Sequence, residues 1–281
     1  MGNTVVVTDS TADLTIEILD KYDITMVPLE VNWAGESYQD RIDITSEQFL
    51  DIIEESDSLP TTSQPAIGKF IEAYERLAED YEEIISIHLS EKLSGTIEAA
   101  RLAAEMVDGV KVEVVDSEVA TFSLGVMVME VADAVKSGSS VEELVDDLIP
   151  RLKEDIEIYF TVDDLSYLEK GGRIGKASAF LGNLLNIRPI LTLKGGEVAP
   201  CGKVRGQRRL YNELKKLVAD KLEGQQGSKL ILLHGKNKDK AEQLKESLVE
   251  QFEWAEVDMM QFGPVIATHV GPTPFGIVFL K

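Results

Sequence analysis

Along nearly the whole chain, short hydrophobic runs of strand length alternate with amphipathic segments of helical period. TVVVTD (4–9) reads as a buried strand. Thr11 or Asp13 is placed to cap a short helix through Tyr22. ITMVPLEV (24–31) reads as one strand that ends before the turn-like NWAGES. TSEQFLDIIEES opens with a capping-box pattern at Thr45 or Ser46 and continues as a helix. After the loop LPTTSQP a helix of about four turns runs to Asp80. IISIHL and VKVEVVD read as strands around the helix SGTIEAARLAAEMV, and the apolar helix TFSLGVMVMEVADAVKSG follows. Strands spaced by helices in this way predict βαβ units and a parallel sheet.

From IEIYFTV onward the pattern changes. It predicts a strand, an apolar helix ASAFLGNLLNI, a strand PILTL and a turn at KGGEVAP. A helix from Gln207 to Leu222, the strand KLILLHG and a helix ending near Phe252 come next. EVDMMQF and FGIVFLK close the chain as strands. The expected fold is therefore α/β with two α/β domains, residues 1–155 and 156–281, the first built on a mainly parallel sheet flanked by helices.

Charge sharpens this division. Residues 1–150 hold 8 Lys and Arg against 33 Asp and Glu, whereas 151–281 hold 20 against 17. The acidic first part repels nucleic acid and anionic membranes. A basic zone between Lys170 and Lys216 carries 11 basic residues and 2 acidic ones, and suits a phosphate, a nucleotide or an acidic partner. Met259–Leu280 is uncharged, but its three prolines and three glycines argue for buried strand and loop, not a membrane span. The start MGNTVVVTDSTADL lacks the pattern of a signal peptide, and with one cysteine, Cys201, a cytoplasmic protein without a disulfide framework is expected. Three scattered histidines, His88, His234 and His269, suggest no metal site.

Candidate chemistry sits in small-residue loops at strand ends, where ligands bind in open α/β sheets. Ser94 in KLSGT follows a strand and opens a helix, either as an ordinary cap or as an anion donor. Thr62 in PTTSQP has the same two readings. His269 in ATHVGPTPFG is either a satisfied core histidine or a donor to a buried carboxylate. Arg173, between Gly172 and Ile174, and Arg205 in KVRGQRR are surface arginines or clamps for an oxyanion. The apolar helices are core by default, with a tunnel for an apolar ligand as the sharper reading.

In order, TDSTADL, PTTSQP, KLSGT, VVDSEVATFSLG, LEKGGRIG, GNLLNIRPIL, KVR and HVGP resemble the DegV family over residues 4 to about 280. The resemblance implies a lipid tunnel in the core. It implies a carrier that is not itself an enzyme and has no cofactor or metal of its own. Such a carrier binds a long-chain fatty acid and presents its carboxylate to a separate fatty acid kinase. That kinase brings ATP and Mg²⁺ and makes the acyl phosphate. Position by position, it implies that Thr62 and Ser94 hold the carboxylate, with His269 beside them, and that Arg173, Arg205 and His269 assist transfer. Thr273 departs from the glycine usual after H-x-G-P, which implies a different turn beside His269. Two readings from other classes stand next to this one: a small-molecule hydrolase using Ser94 and His269, and an interaction protein with a vestigial pocket.

Overall fold

The computed structural model describes residues 4–55, 59–182 and 187–281. In chain order its strands are β1 (Thr4–Asp9), β2 (Ile24–Val27), β3 (Glu30–Trp33), β4 (Glu36–Gln39), β5 (Thr61–Ser63), β6 (Glu83–His88) and β7 (Lys111–Asp116). They continue with β8 (Ile156–Thr161), β9 (Arg188–Lys194), β10 (Glu197–Val204), β11 (Gly227–His234), β12 (Trp254–Gln261) and β13 (Phe275–Leu280). The fold is mixed α/β. One sheet, in the order β2-β1-β6-β7, is parallel throughout. A six-stranded sheet, β10-β9-β8-β13-β11-β12, is antiparallel except between β11 and β12. A small antiparallel sheet runs β4-β3-β5.

The central strands of the parallel sheet are buried on both faces, which is why TVVVTD and IISIHL read as continuous apolar runs. Val5, Val7 and Ile84 face outward, against Phe70, Tyr74 and Ala99 of the helices Ile67–Ala78 and Thr96–Ala104. Val6, Ile85 and Ile87 face inward, against the helix Phe122–Lys136. That helix also packs on Ile158 of β8 and Val278 of β13. It lies between two sheets, so its sequence has no polar stripe. Each fully buried Leu, Val or Met in it contributes roughly 1.5–3 kcal/mol. The outer face of the six-stranded sheet is covered by the helices Gln207–Leu222 and Lys238–Gln251.

Several expectations need correction. The run ITMVPLEV is two strands in two different sheets. Pro28, which has no N–H to give a ladder, stands between them. The first helix is capped by Thr15, not by Thr11 or Asp13, and starts only at Ile16. The loop PTTSQP contains β5, whose Thr62 pairs with Val31. Residues 177–180, the start of the expected helix ASAFLGNLLNI, belong instead to a short 3₁₀ helix, Gly175–Phe180. Residues 183–186 of the expected helix ASAFLGNLLNI lie outside the described residues. The uncharged stretch 259–280 holds a helix, Pro264–Val270, where only strand and loop were expected. The capping box forms at Thr45, with Gln48.

Candidate ligand-binding cavity

The carboxyl ends of the parallel strands open onto a cavity with about 860 Å³ of atom-free space, counting its open mouth. Its floor comes from residues just past those ends: Thr11 after β1, Leu29 after β2, Leu89 after β6 and Ala120 and Thr121 after β7. Ile158, Phe160, Leu233 and Phe275 of the six-stranded sheet form the facing wall. The lining is mostly apolar. The helix Phe122–Lys136 is core and not cavity wall, although Thr121 immediately before it does line the cavity.

Four of the expected residues meet at this cavity: Thr62, Ser94, Arg173 and His269. Thr62 is delivered by β5 and His269 by the helix Pro264–Val270, and Thr62 Oγ1 lies 2.9 Å from His269 Nε2. Ser94 Oγ accepts from Thr96 N at 3.3 Å and pairs with Thr96 Oγ1 at 2.9 Å; with Thr96 as the donor of that pair, the Ser94 hydroxyl proton can turn to a ligand. The two loops interlock, because the Gln64 side chain lies where a methyl group on Gly95 would sit. Arg173 is fixed by Nε donating to Leu93 O at 2.9 Å and Nη1 donating to Gly171 O at 2.7 Å. Its motif needs its glycines: a methyl group on Gly171 would run into His269 Nδ1, and Gly172 has φ +72°.

Burial, with the positive charge of Arg173 second, pushes His269 down to about 4, so its imidazole is neutral at neutral pH. Nδ1 of that ring is buried with no hydrogen-bond partner among the described residues. That nitrogen packs against Gly171, where an added methyl group would meet it.

Residue-by-residue reading of the sequence did not find the deeper polar residues. Thr11 gives both its N–H and its hydroxyl to Asp9 Oδ1, at 3.0 and 2.5 Å. Asp9 Oδ2 accepts from Leu89 N at 3.0 Å and lies 3.0 Å from His88 Nδ1. One carboxyl thus ties together two floor residues, Thr11 and Leu89. The signal was present in TDSTADL, but Thr11 there reads as a helix cap.

Arg205 is exposed just beyond β10 and does not line the cavity. The turn at Thr273 is held by its carbonyl, which accepts from Asn237 Nδ2, and by Lys236 N donating to Pro272 O at 2.8 Å. His269 Nε2 is paired with Thr62, and Ser94 with Thr96, so Ser94 and His269 are not joined as the nucleophile–base pair a hydrolase would need of them. Among the described residues no group of three or more His, Cys, Asp and Glu is arranged to hold a metal, and no helix is long and apolar enough to cross a membrane.

Fold and cavity together define a mixed α/β protein with an apolar-lined cavity that carries hydroxyl, imidazole and guanidinium groups on its lining. The chain belongs to the DegV family, whose model, described as uncharacterised DegV proteins, matches residues 3–281. A DegV domain-containing protein of Staphylococcus aureus is 40% identical over 281 residues, covering all of both chains. Among solved structures, a DegV family protein of Thermus thermophilus, described by its fatty acid binding, is 35% identical with a TM-score of 0.94 and full coverage of both. DegV of Bacillus subtilis, described as a fatty acid binding protein, is 33% identical with a TM-score of 0.90, again over all of both chains.

Proposed function

We propose that this protein carries a long-chain fatty acid in the cavity and presents its carboxylate to a separate kinase, which supplies ATP and Mg²⁺ and phosphorylates it to the acyl phosphate. One observation carries the reading: an apolar-lined cavity has Thr62, Ser94, Arg173 and His269 together on its lining. The described fatty acid binding of the Thermus thermophilus and Bacillus subtilis relatives supports it.

The chemistry follows from the donors. With the ring proton on Nε2, His269 donates to Thr62 Oγ1 and releases the threonine hydroxyl proton for the carboxylate. Ser94 Oγ, already accepting from Thr96 N, offers the second hydroxyl. The Arg173 guanidinium balances the ligand charge and then that of the growing acyl phosphate. Arg205, out on the basic surface, faces the kinase and assists transfer from there. A sixteen-carbon chain buries about fifteen apolar carbons, worth roughly 12 kcal/mol before ordering costs, so the tail needs no polar anchor.

Organic extraction of purified protein should release a fatty acid. Ser94→Ala and Thr62→Ala should each weaken hexadecanoate binding by about tenfold or more, as expected for losing a donor to a charged group. Arg205→Ala should leave hexadecanoate affinity within about twofold, because an exposed cation adds little. It should lower acyl phosphate formation when kinase, ATP and Mg²⁺ are supplied. Unchanged affinity in both hydroxyl variants would sink the assignment of the carboxylate site.

A further inference from the structure

The helix that carries His269 is seated by two carboxylates from distant parts of the sequence. Pro264–Val270 gives Val265, Ile266, His269 and Val270 to the cavity wall. Seven residues make a helix too short to stand alone in water, so its neighbours decide where it sits. At its start Gly263 N donates to Asp13 Oδ1 at 2.8 Å, and Val265 N donates to Asp40 Oδ1 at 3.3 Å. Pro264 between them has no N–H. Asp13 Oδ2 also accepts from Thr121 Oγ1 at 2.6 Å. Thr121, a floor residue, is held at φ +54°, a conformation β-branched residues avoid.

Both carboxylates are fully buried. Arg41 Nη1 stands 3.6 Å from Asp13 Oδ1, while Asp40 Oδ2 has no hydrogen-bond partner among the described residues. Two carboxyl groups against one guanidinium leave a place for one proton.

We propose that Asp13 and Asp40 position the His269 helix over the cavity and make the affinity for an acyl ligand depend on pH. This rests on the fatty acid reading of the cavity. Burial pushes Asp40 up to about 7, with Asp13 beside it adding to the rise, and burial pushes Asp13 up to about 6 against the pull of Arg41. Asp9 adds a further negative charge beside Asp13, and the Ser10 side chain next to Asp40 opposes the rise. The helix shows the pair backbone N–H groups only. Its one titratable side chain, His269, sits about two turns along and is uncharged near pH 7. An acyl chain displaces water from the far side of this helix, so the filled form holds the shared proton more tightly than the empty form. Affinity therefore falls as pH rises through the neutral range.

The test has two arms. Hexadecanoate affinity is measured at pH 6 and pH 8 for the natural protein and for Asp40→Asn. The natural protein should weaken about three- to tenfold more than the variant, which corresponds to half to one pKa unit. The ligand's own titration is common to both proteins and cancels. Equal pH profiles overturn the linkage, whereas no binding by the natural protein at any pH overturns the fatty acid reading instead. In the second arm, ¹⁵N signals of the His269 imidazole are followed in the ligand-free natural protein. They should shift with a midpoint between pH 6 and 8, well above the ring's own titration. A flat response overturns the positioning role, and this arm needs no variant to fold.

Discussion

Two histidines of this protein each sit 3.0 Å or less from a hydroxyl, yet they stand in opposite circumstances. His88 is fully buried on the outer face of the parallel sheet, 2.7 Å from Ser86 Oγ and 3.0 Å from Asp9 Oδ2. Tyr74 OH closes the far end at 2.8 Å from Ser86 Oγ, and Phe70 meets the His88 ring edge-on. Nδ1 reaches Asp9 and Nε2 reaches Ser86, so both nitrogens have a partner. His269 has one nitrogen on Thr62 and the other buried without a partner among the described residues. A serine, a histidine and an aspartate in line thus make a closed structural network. The incomplete pair is the one that opens on the cavity. What separates them is satisfaction, not residue type.

The sharpest way to break this comparison is to remove each ring in turn. His88→Ala should lower the free energy of unfolding by about 3–5 kcal/mol, since it leaves a void and strands the Asp9 carboxyl and Ser86 hydroxyl. Chemical denaturation reads this directly. His269→Ala should change stability by under about 1 kcal/mol but weaken hexadecanoate binding by about tenfold or more. If the two variants exchanged these phenotypes, the contrast would be wrong.

A smaller effect sharpens the same point. Gly171→Ala adds a methyl group where His269 Nδ1 now lies, and should turn the ring off Thr62. A loss of about three- to tenfold in hexadecanoate affinity with little change in unfolding midpoint is expected. A pH effect reads the same ring through its own titration. His269 has a value of about 4 when folded and its ordinary 6.5 when unfolded, so between these the unfolded chain binds more protons. Stability should fall as pH drops from 6.5 toward 4, and His269→Gln should lose less over that interval in urea titrations.

Most strands and long helices were legible because their signals are local: period two or continuous apolar runs in β1 and β6, period 3.6 in Gln207–Leu222. The cavity mouth was legible through loop motifs carrying Thr62, Ser94, Arg173 and His269. What stayed hidden depends on distant partners. The helix Pro264–Val270 looks like loop because its start is bonded to Asp13 and Asp40, more than 220 positions away. β5 forms only because Val31 pairs with Thr62. Thr11 reads as a cap residue, and Thr121 as the first residue of an apolar helix, until the strand ends that place them are brought together.

The helix Phe122–Lys136, buried between two sheets over most of its length, has a consequence for synthesis. Its second covering includes β13, which ends at Leu280, some 144 residues after Lys136. At about 5–20 residues per second a ribosome needs on the order of ten seconds to make that length. During that interval Leu124, Met127 and Val131 have the parallel sheet on one side only. The emerging first half carries 33 acidic residues against 8 basic ones over residues 1–150. Like charge of that size keeps nascent chains on neighbouring ribosomes apart while the sticky face waits for its partner.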